Sequence, residues 1–364
     1  MLQGNLRLNR LNHLGTFQDS NDETIKSVYA SGKKIIEVTF IQNKSNQGVD
    51  VFCVPTHHYC NLGCTLCHLT KEGRQKSMEP IEPYHFLEAL ARTAFTKSKG
   101  IVLSSNENGK DEKVEFIGKE ENGLKRSPNK KCLVSYMGVG EPLLNLELIS
   151  SVYEEEGLLK KICCYESFSY AIATMMPNAG LEKLTAIVTG KSIPLKVHFS
   201  LHSPFSDERK LLLPRTTVGV EEAFEMLAHY RKEVSGIESI QAKMKEFHAI
   251  ADPTEIHYTL IDQVNDTDRH LKRMIELLDL YRIPLKLIRF NPPEGMQRSK
   301  KEGEWLSTLQ KSLPGLRVVE YEPPGKQIGS SCGEFTKHYY LSELETEEEK
   351  KEFLEWKQEH QIFE

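Results

Sequence analysis

No apolar run in this 364-residue chain approaches the ~20 residues needed to cross a bilayer, and Met1-Leu2-Gln3-Gly4-Asn5 opens no signal peptide. These absences exclude a membrane-spanning helix and a secretory leader, and predict a cytoplasmic protein without membrane contact. Cysteine is scarce, eight in all, and unevenly placed: three crowd into one loop, while Cys163 and Cys164 are adjacent. A disulfide framework does not look like that. A reducing compartment with metal-binding or catalytic thiols does. Excess positive charge is missing too. With a formal net charge of −5, a nucleic-acid partner must meet a local basic patch rather than the whole molecule.

What remains is the composition of a globular protein, 39% apolar and 27% charged. The length allows one large α/β domain with extensions, or two modest ones. The organising stretch is Cys60-Asn61-Leu62-Gly63-Cys64-Thr65-Leu66-Cys67, just after the strand-like Val49-Asp50-Val51-Phe52. Structural zinc takes four ligands in a closed tetrahedron, so three thiols suit a 4Fe–4S cluster whose fourth iron stays open. Two other readings stand beside it: a zinc site completed by His57 or His58, or clustered core cysteines. The loop resembles that of the radical S-adenosylmethionine superfamily. The resemblance implies an open iron chelating the amino and carboxylate groups of S-adenosylmethionine, whose reductive cleavage yields a 5′-deoxyadenosyl radical.

Residues 1–48 read as a small β extension. Thr24–Tyr29 and Lys34–Ile41 flank a Ser31-Gly32 turn, a predicted hairpin covering one end of the fold. Strands are then expected at 133–136, 170–173, 195–199, 256–260 and 285–288. Between them run helical spacings such as Ala223, Leu227, Tyr230 and Val234, or Leu271, Met274, Leu278 and Tyr281. Alternation of this kind means a parallel sheet. About six units make a partial (β/α)6 barrel, spanning 49–340, with its chemistry where the strands end. Residues 104–131, rich in Asn, Gly, Lys and Glu, read as a flexible insertion, and 341–364 as a charged C-terminal helix.

Met137-Gly138-Val139-Gly140-Glu141-Pro142-Leu143-Leu144-Asn145 is the second informative run. Glycines remove side chains where a ligand approaches backbone, and Glu141 offers an acceptor to an ammonium group; a tight strand-to-helix turn explains Gly-x-Gly equally well. After the cysteine loop it looks like the Gly-Glu-Pro motif that receives the amino group of S-adenosylmethionine. Ser200-Leu201-His202 offers hydroxyl and imidazole contacts to its ribose and carboxylate, and by itself would be ordinary strand-end polarity.

Further landmarks follow in a fixed order. Cys53 lies seven residues before Cys60; Ser200 to His202 is followed by Glu208, Arg209, Leu213 and Pro214; then come Leu260 to Asp266, Leu287 to Pro292, and Ser331-Cys332-Gly333-Glu334. From about Thr24 to Phe335 this set resembles the RlmN/Cfr family of radical S-adenosylmethionine RNA methyltransferases. The resemblance implies methylation of carbon 2 or carbon 8 of an adenine in rRNA or tRNA. It makes Cys332 the methyl-carrying cysteine and Cys53 the one that resolves the protein–RNA adduct through a disulfide. It also implies contacts to S-adenosylmethionine from Gly140, Glu141, Ser200, His202 and Asn291, a reductant such as flavodoxin or ferredoxin, and a monomer. Ala173-Thr174-Met175-Met176 stands where the family has Ser-Thr-Ser-Gly, leaving Thr174 as the contact there. No family position applies to Cys132, Cys163 or Cys164.

This chain begins almost at the hairpin, so the resemblance implies a divergent member without the family's N-terminal accessory domain. His57-His58, Leu66 and Pro323 to Ile328 also depart from the family pattern. Lys71, Arg74, Lys76, Lys125, Arg126, Lys130, Lys131, Arg209, Lys210 and Arg215 are the cations available to phosphates. Two rivals remain: an enzyme of this fold with another substrate, and a zinc-bound nucleic-acid-binding module.

Overall fold

The computed structural model describes residues 6–8, 10–42, 48–71, 78–95, 100–105, 112–117, 129–247, 251–330, 351 and 361–363. Strands β1 (Leu6–Leu8), β2 (Asn12–Gln18), β3 (Ile25–Ser31) and β4 (Lys34–Ile41) come first, and β5 (Val49–Cys53) starts the alternation. It continues with α1 (His68–Lys71), α2 (Pro83–Ala94), β6 (Gly100–Ser105), β7 (Glu112–Ile117), β8 (Lys131–Tyr136), α3 (Leu146–Glu154), α4 (Glu156–Cys163) and β9 (Ser167–Thr174). Then follow α5 (Gly180–Lys191), β10 (Leu195–Ser200), α6 (Ser206–Leu212), α7 (Val220–Ser235), α8 (Glu238–Glu246), β11 (Thr254–Tyr258) and α9 (Asp268–Tyr281). The order closes with β12 (Leu285–Ile288), α10 (Glu302–Ser312), β13 (Val318–Tyr321) and β14 (Gln361–Phe363).

Strands β5, β8, β9, β10, β11, β12 and β13 lie side by side in that order, every neighbouring pair parallel. Parallel pairing needs crossovers, and the helices supply them. This is the expected partial (β/α)6 barrel, six strand–helix units and a closing strand. Register divides each strand's side chains between two faces. Tyr136, Tyr170, Phe199 and Tyr258 take one phase and meet the helices: Tyr136 stacks on Phe86 at 5.6 Å, Tyr170 meets Tyr153 at 5.8 Å, Phe199 meets Phe224 at 6.4 Å and Tyr258 stacks on Trp305 at 5.7 Å. The other phase lines the inner face: Cys53 opposite Ser135, His198 opposite Glu255, and His257 opposite Lys286. The helical spacing in α7 has the predicted meaning, since Ala223, Leu227, Tyr230 and Val234 are all fully buried.

Three expectations are corrected. The expected hairpin is present, β3 and β4 pairing antiparallel about Ser31-Gly32, but it does not stand apart as a cover: β2, β3 and β4 continue the same sheet edge to edge, β4 pairing antiparallel with β5. β2 escapes sequence reading because its register shifts between His13 and Gly15, which breaks the alternation. Residues 361–363 are a strand, β14, on the outer edge of β2, where they pair backbone groups that an edge strand leaves open; of the charged helix expected over 341–364, only Lys351 lies among the other described residues. Within 104–131, β7 pairs antiparallel with β6, and β6 with β1, in a separate three-stranded sheet.

Candidate functional site

The cysteine loop is held from three sides by backbone. Thr56 N–H donates to the Val139 carbonyl at 2.9 Å, Gly138 N–H donates to Val54 at 3.0 Å, and Thr65 N–H donates to Leu212, the last residue of α6, at 2.9 Å. Asn145 caps α3 by accepting from Leu148 N–H at 3.3 Å, and its amide reaches back to the Thr56 carbonyl at 2.8 Å. The Met137–Asn145 run is therefore the wall against which the loop is folded. It needs glycine: a Cβ on Gly138 would lie 2.8 Å from Val54 and Pro55 backbone, and one on Gly140, at φ +107°, would lie 2.5 Å from His57 Nδ1.

Cys60, Cys64 and Cys67 are half-buried in this loop. Burial pushes the Cys60 thiol up, partly offset by the backbone N–H groups of Leu62 and Gly140. It pushes Cys64 well up, with Cys67, Cys60 and Glu141 adding to the effect. Such thiols ionise when a metal supplies the missing positive charge. Three thiols leave a structural zinc one ligand short but leave one iron of a 4Fe–4S cluster open; with the backbone N–H groups of Leu62 and Gly140 directed at Cys60, they fit the cluster.

Glu141 is 2% exposed. Its carboxylate accepts from Leu143 N–H at 3.1 Å and Met175 N–H at 3.0 Å, clamping the end of β8 to the end of β9. Burial raises it to about 7, against the pull of Thr174, these two N–H groups and Arg209. Thr174 is buried and accepts from Met176 N–H at 2.8 Å, turning the chain sharply after β9. Ser200 ends β10, and its carbonyl accepts from Arg209. The His202 carbonyl accepts from Asn265 at 2.7 Å, while its Nδ1 is buried without a hydrogen-bond partner. Burial, Arg209 and His257 lower His202 to about 3, so the ring is neutral. Asn291, past the end of β12, buries its Nδ2 without a partner as well. Two orphaned polar atoms, past the ends of β10 and β12, suit a bound polar cofactor.

Arg209, expected at phosphates, is instead 1% exposed. It donates to the Leu201 carbonyl at 3.1 Å, the Ser200 carbonyl at 3.1 Å and Thr216 Oγ1 at 2.7 Å, and lies 4.7 Å from the Phe199 ring. Burial lowers it to about 10, against Cys64 and Glu141. It is a positioning residue. Sequence reading missed that role because a helix-terminal arginine looks like surface charge. Lys131 begins β8 and Lys130 precedes it, at the opposite end from the cysteines; Lys130 pairs with Glu166 at 2.7 Å and Lys131 donates to the Glu246 carbonyl at 3.0 Å. Lys210 and Arg215 are exposed beyond β10, and the side chains of Lys71, Arg74, Lys76, Lys125 and Arg126 lie outside the described residues.

Cys53 ends β5 on the inner face, and with Cys60 and Cys67 packs against Leu69 and Val139. Cys332 lies outside the described residues. The chain leading to it does not. Ile328 is buried with Phe17, Val28, Ile35 and Tyr59, the neighbour of Cys60, while the Asp22 carboxylate accepts from Gly325 N–H at 2.8 Å and Asp19 from Gln327 N–H at 2.9 Å. Cys132 and Cys163 are buried and Cys164 is exposed, all away from this loop.

No protein-family model matches the chain. Curated relatives do: the dual-specificity RNA methyltransferase RlmN of Nitratidesulfovibrio vulgaris is 25% identical over 350 residues, covering 93% of this chain and 81% of that protein. RlmN of Saccharophagus degradans is 26% identical over 320 residues, 87% and 68% of the two chains. The chain is RlmN-like. A radical SAM methyltransferase from Sphaerobacter thermophilus shares the fold, with a TM-score of 0.60 at 20% identity over 90% of this chain and 81% of that one. No helix among the described residues of the RlmN-like chain is long and apolar enough to cross a membrane.

Proposed function

We propose that this RlmN-like chain is a radical S-adenosylmethionine RNA methyltransferase that modifies carbon 2 or carbon 8 of an adenine in rRNA or tRNA through Cys332 and Cys53. The observation that carries the reading is convergence: Cys53 shares one apolar patch with two cluster cysteines, and the tethered segment ending at Ser330 packs beside Tyr59. Two residues span at most about 7 Å, so the tether limits Cys332 to that distance from Ser330.

Cys60, Cys64 and Cys67 would hold the cluster, with Gly140, Glu141, Thr174, Ser200, His202 and Asn291 around the S-adenosylmethionine. Bound there, these groups would supply a carbon radical able to take a hydrogen atom from an S-methyl group. The remaining work belongs to the chain. Cys332 carries the methyl group as a thioether and joins the base through that carbon. Cys53 accepts the proton from the modified ring position. Its sulfur then bonds to that of Cys332 as the carbon–sulfur bond breaks, leaving a disulfide; the freed carbon takes up a proton to become the methyl group, and the odd electron left by the radical addition would return to the oxidised cluster. An external two-electron donor reopens it, while a flavodoxin or ferredoxin feeds single electrons to the cluster.

The test is peptide mass mapping after anaerobic incubation with S-adenosylmethionine, reductant and RNA. Wild type should show methyl-Cys332. Cys332→Ala should cleave S-adenosylmethionine without methylating RNA, and Cys53→Ala should accumulate a protein–RNA crosslink. Full turnover in both variants, or an unmodified Cys332 throughout, would leave a radical enzyme of the same fold acting on another substrate.

A further inference from the structure

The inner face of the barrel carries a charged cluster that the methyl-transfer chemistry does not use. Glu255 is 0% exposed, with Lys286 Nζ 2.8 Å and His198 Nδ1 3.0 Å from one oxygen, and Lys196 Nζ 3.4 Å from the other, which Arg317 also contacts. His257 Nε2 stands 3.6 Å away. Two imidazoles and a carboxylate within 4.8 Å resemble a divalent-metal site. The charges argue otherwise. Both carboxylate oxygens already face fixed cations, so a metal ion would enter a pocket of like charge.

That surplus opens into a cavity of about 330 Å³ at the end of the barrel where strands begin, opposite the cysteines. Lys196, Arg231, Arg282 and Arg317 line it, with Asp252 the single acidic residue on its wall. The arginines are already oriented: Arg231 donates to Asp252 at 2.8 Å and to the Arg282 carbonyl at 2.8 Å, and Arg282 donates to the Pro314 carbonyl at 2.9 Å. Each guanidinium has five N–H groups, so donors remain for a ligand. Burial lowers Lys196 to about 8, with Glu255 and Asp252 opposing and Lys286 and Arg317 reinforcing.

We propose that this cavity binds a small phosphate-bearing anion. Arginines in a concave site favour bidentate contacts to phosphate oxygens. A volume near the lower limit of small-molecule sites suits a compact phosphorylated ligand and not a length of RNA backbone. The site is independent of the reaction proposed above, because it shares no residue with the cysteine loop.

The test is thermal unfolding of the anaerobically purified full chain in inorganic phosphate or pyrophosphate, against chloride at equal ionic strength. Wild type and the distant control Arg273→Gln should show a saturable stabilisation. The Arg282→Gln/Arg317→Gln pair should bind roughly tenfold more weakly. Arg317→Lys, which keeps the charge, should fall between them. The proposal is overturned if wild type shows no saturable response or if the double variant matches it. It is overturned equally if an RNA oligonucleotide displaces phosphate through the same arginines, or if Zn²⁺ binds stoichiometrically in a His198-dependent way.

Discussion

At the residue scale, the glycine wall sets the tolerance of the cysteine loop. Gly140 is left-handed and its missing Cβ would strike His57 and Thr56, whereas a Cβ at Gly157 in α4 meets nothing within 4 Å. Gly140→Ala should lower iron incorporation several-fold by colorimetric iron assay with the far-ultraviolet dichroism retained. Gly157→Ala should load normally and gain about 0.5–1 kcal/mol in denaturant unfolding, because alanine loses less backbone freedom in a helix. Arg209→Met removes the buried cation that donates to the Leu201 and Ser200 carbonyls and Thr216 Oγ1, taking three hydrogen bonds from the turn after β10. A loss of about 3 kcal/mol is expected from urea midpoints. Lys196 carries a pH signature. Its folded value, about 8, lies below the ordinary 10.5, so between those limits the unfolded chain binds more protons and stability rises with pH. Lys196→Met should flatten that rise relative to wild type in unfolding measured from pH 8 to 10; an unchanged slope would place the titration elsewhere.

At the element scale, the antiparallel strands β2 to β4 make an anchoring surface out of what a sequence reader takes for a cover. The turn between β2 and β3 presents Asp19 and Asp22 to the backbone of Gln327 and Gly325, and the buried Lys26, paired with Glu37 at 3.5 Å, donates to the Gly329 carbonyl at 3.2 Å. The segment before Cys332 is thus pinned to the edge of the barrel's own sheet. Asp19→Ala with Asp22→Ala should speed proteolytic cleavage near residues 325–330 and reduce methyl-Cys332 several-fold by mass spectrometry. S-adenosylmethionine cleavage should continue, since neither aspartate touches the cysteine loop. Equal loss of both readouts would mean that the turn supports the whole fold and not this segment.

At the scale of the whole molecule, two ends of one barrel carry opposite chemistry. Thiols, glycines and orphaned polar atoms gather where strands end; the cation-lined cavity lies where they begin. Much of this was legible. Strands β3, β4, β5 and β8 to β12 declare themselves through alternating or continuous apolar runs, and α7 and α9 through their spacing, because each must bury a face. The bulged β2 and the half-exposed β13 do not, since one breaks its alternation and the other buries only Val318. Cysteine spacing marked out the Cys60–Cys67 loop, because such a loop is local in sequence. The clamp roles of Arg209 and Glu141 were hidden, because the carbonyls and N–H groups they satisfy come from strands brought together only by folding. In Lys196-Val197-His198 and Glu255-Ile256-His257 polar residues alternate within buried strands, a visible signal of a polar barrel interior, although not of what balances its charge. The sequence by itself determined the alternation of strands and helices, the cysteine loop and the glycine wall, each a matter of neighbours along the chain. Only the tertiary structure decided that Cys53 joins Cys60 and Cys67 in one apolar patch, that the extension tethers the segment ending at Ser330, and that Glu255 answers to Lys196, Lys286 and Arg317. These are contacts between residues far apart in the chain, fixed by strand register and crossover and by no local preference.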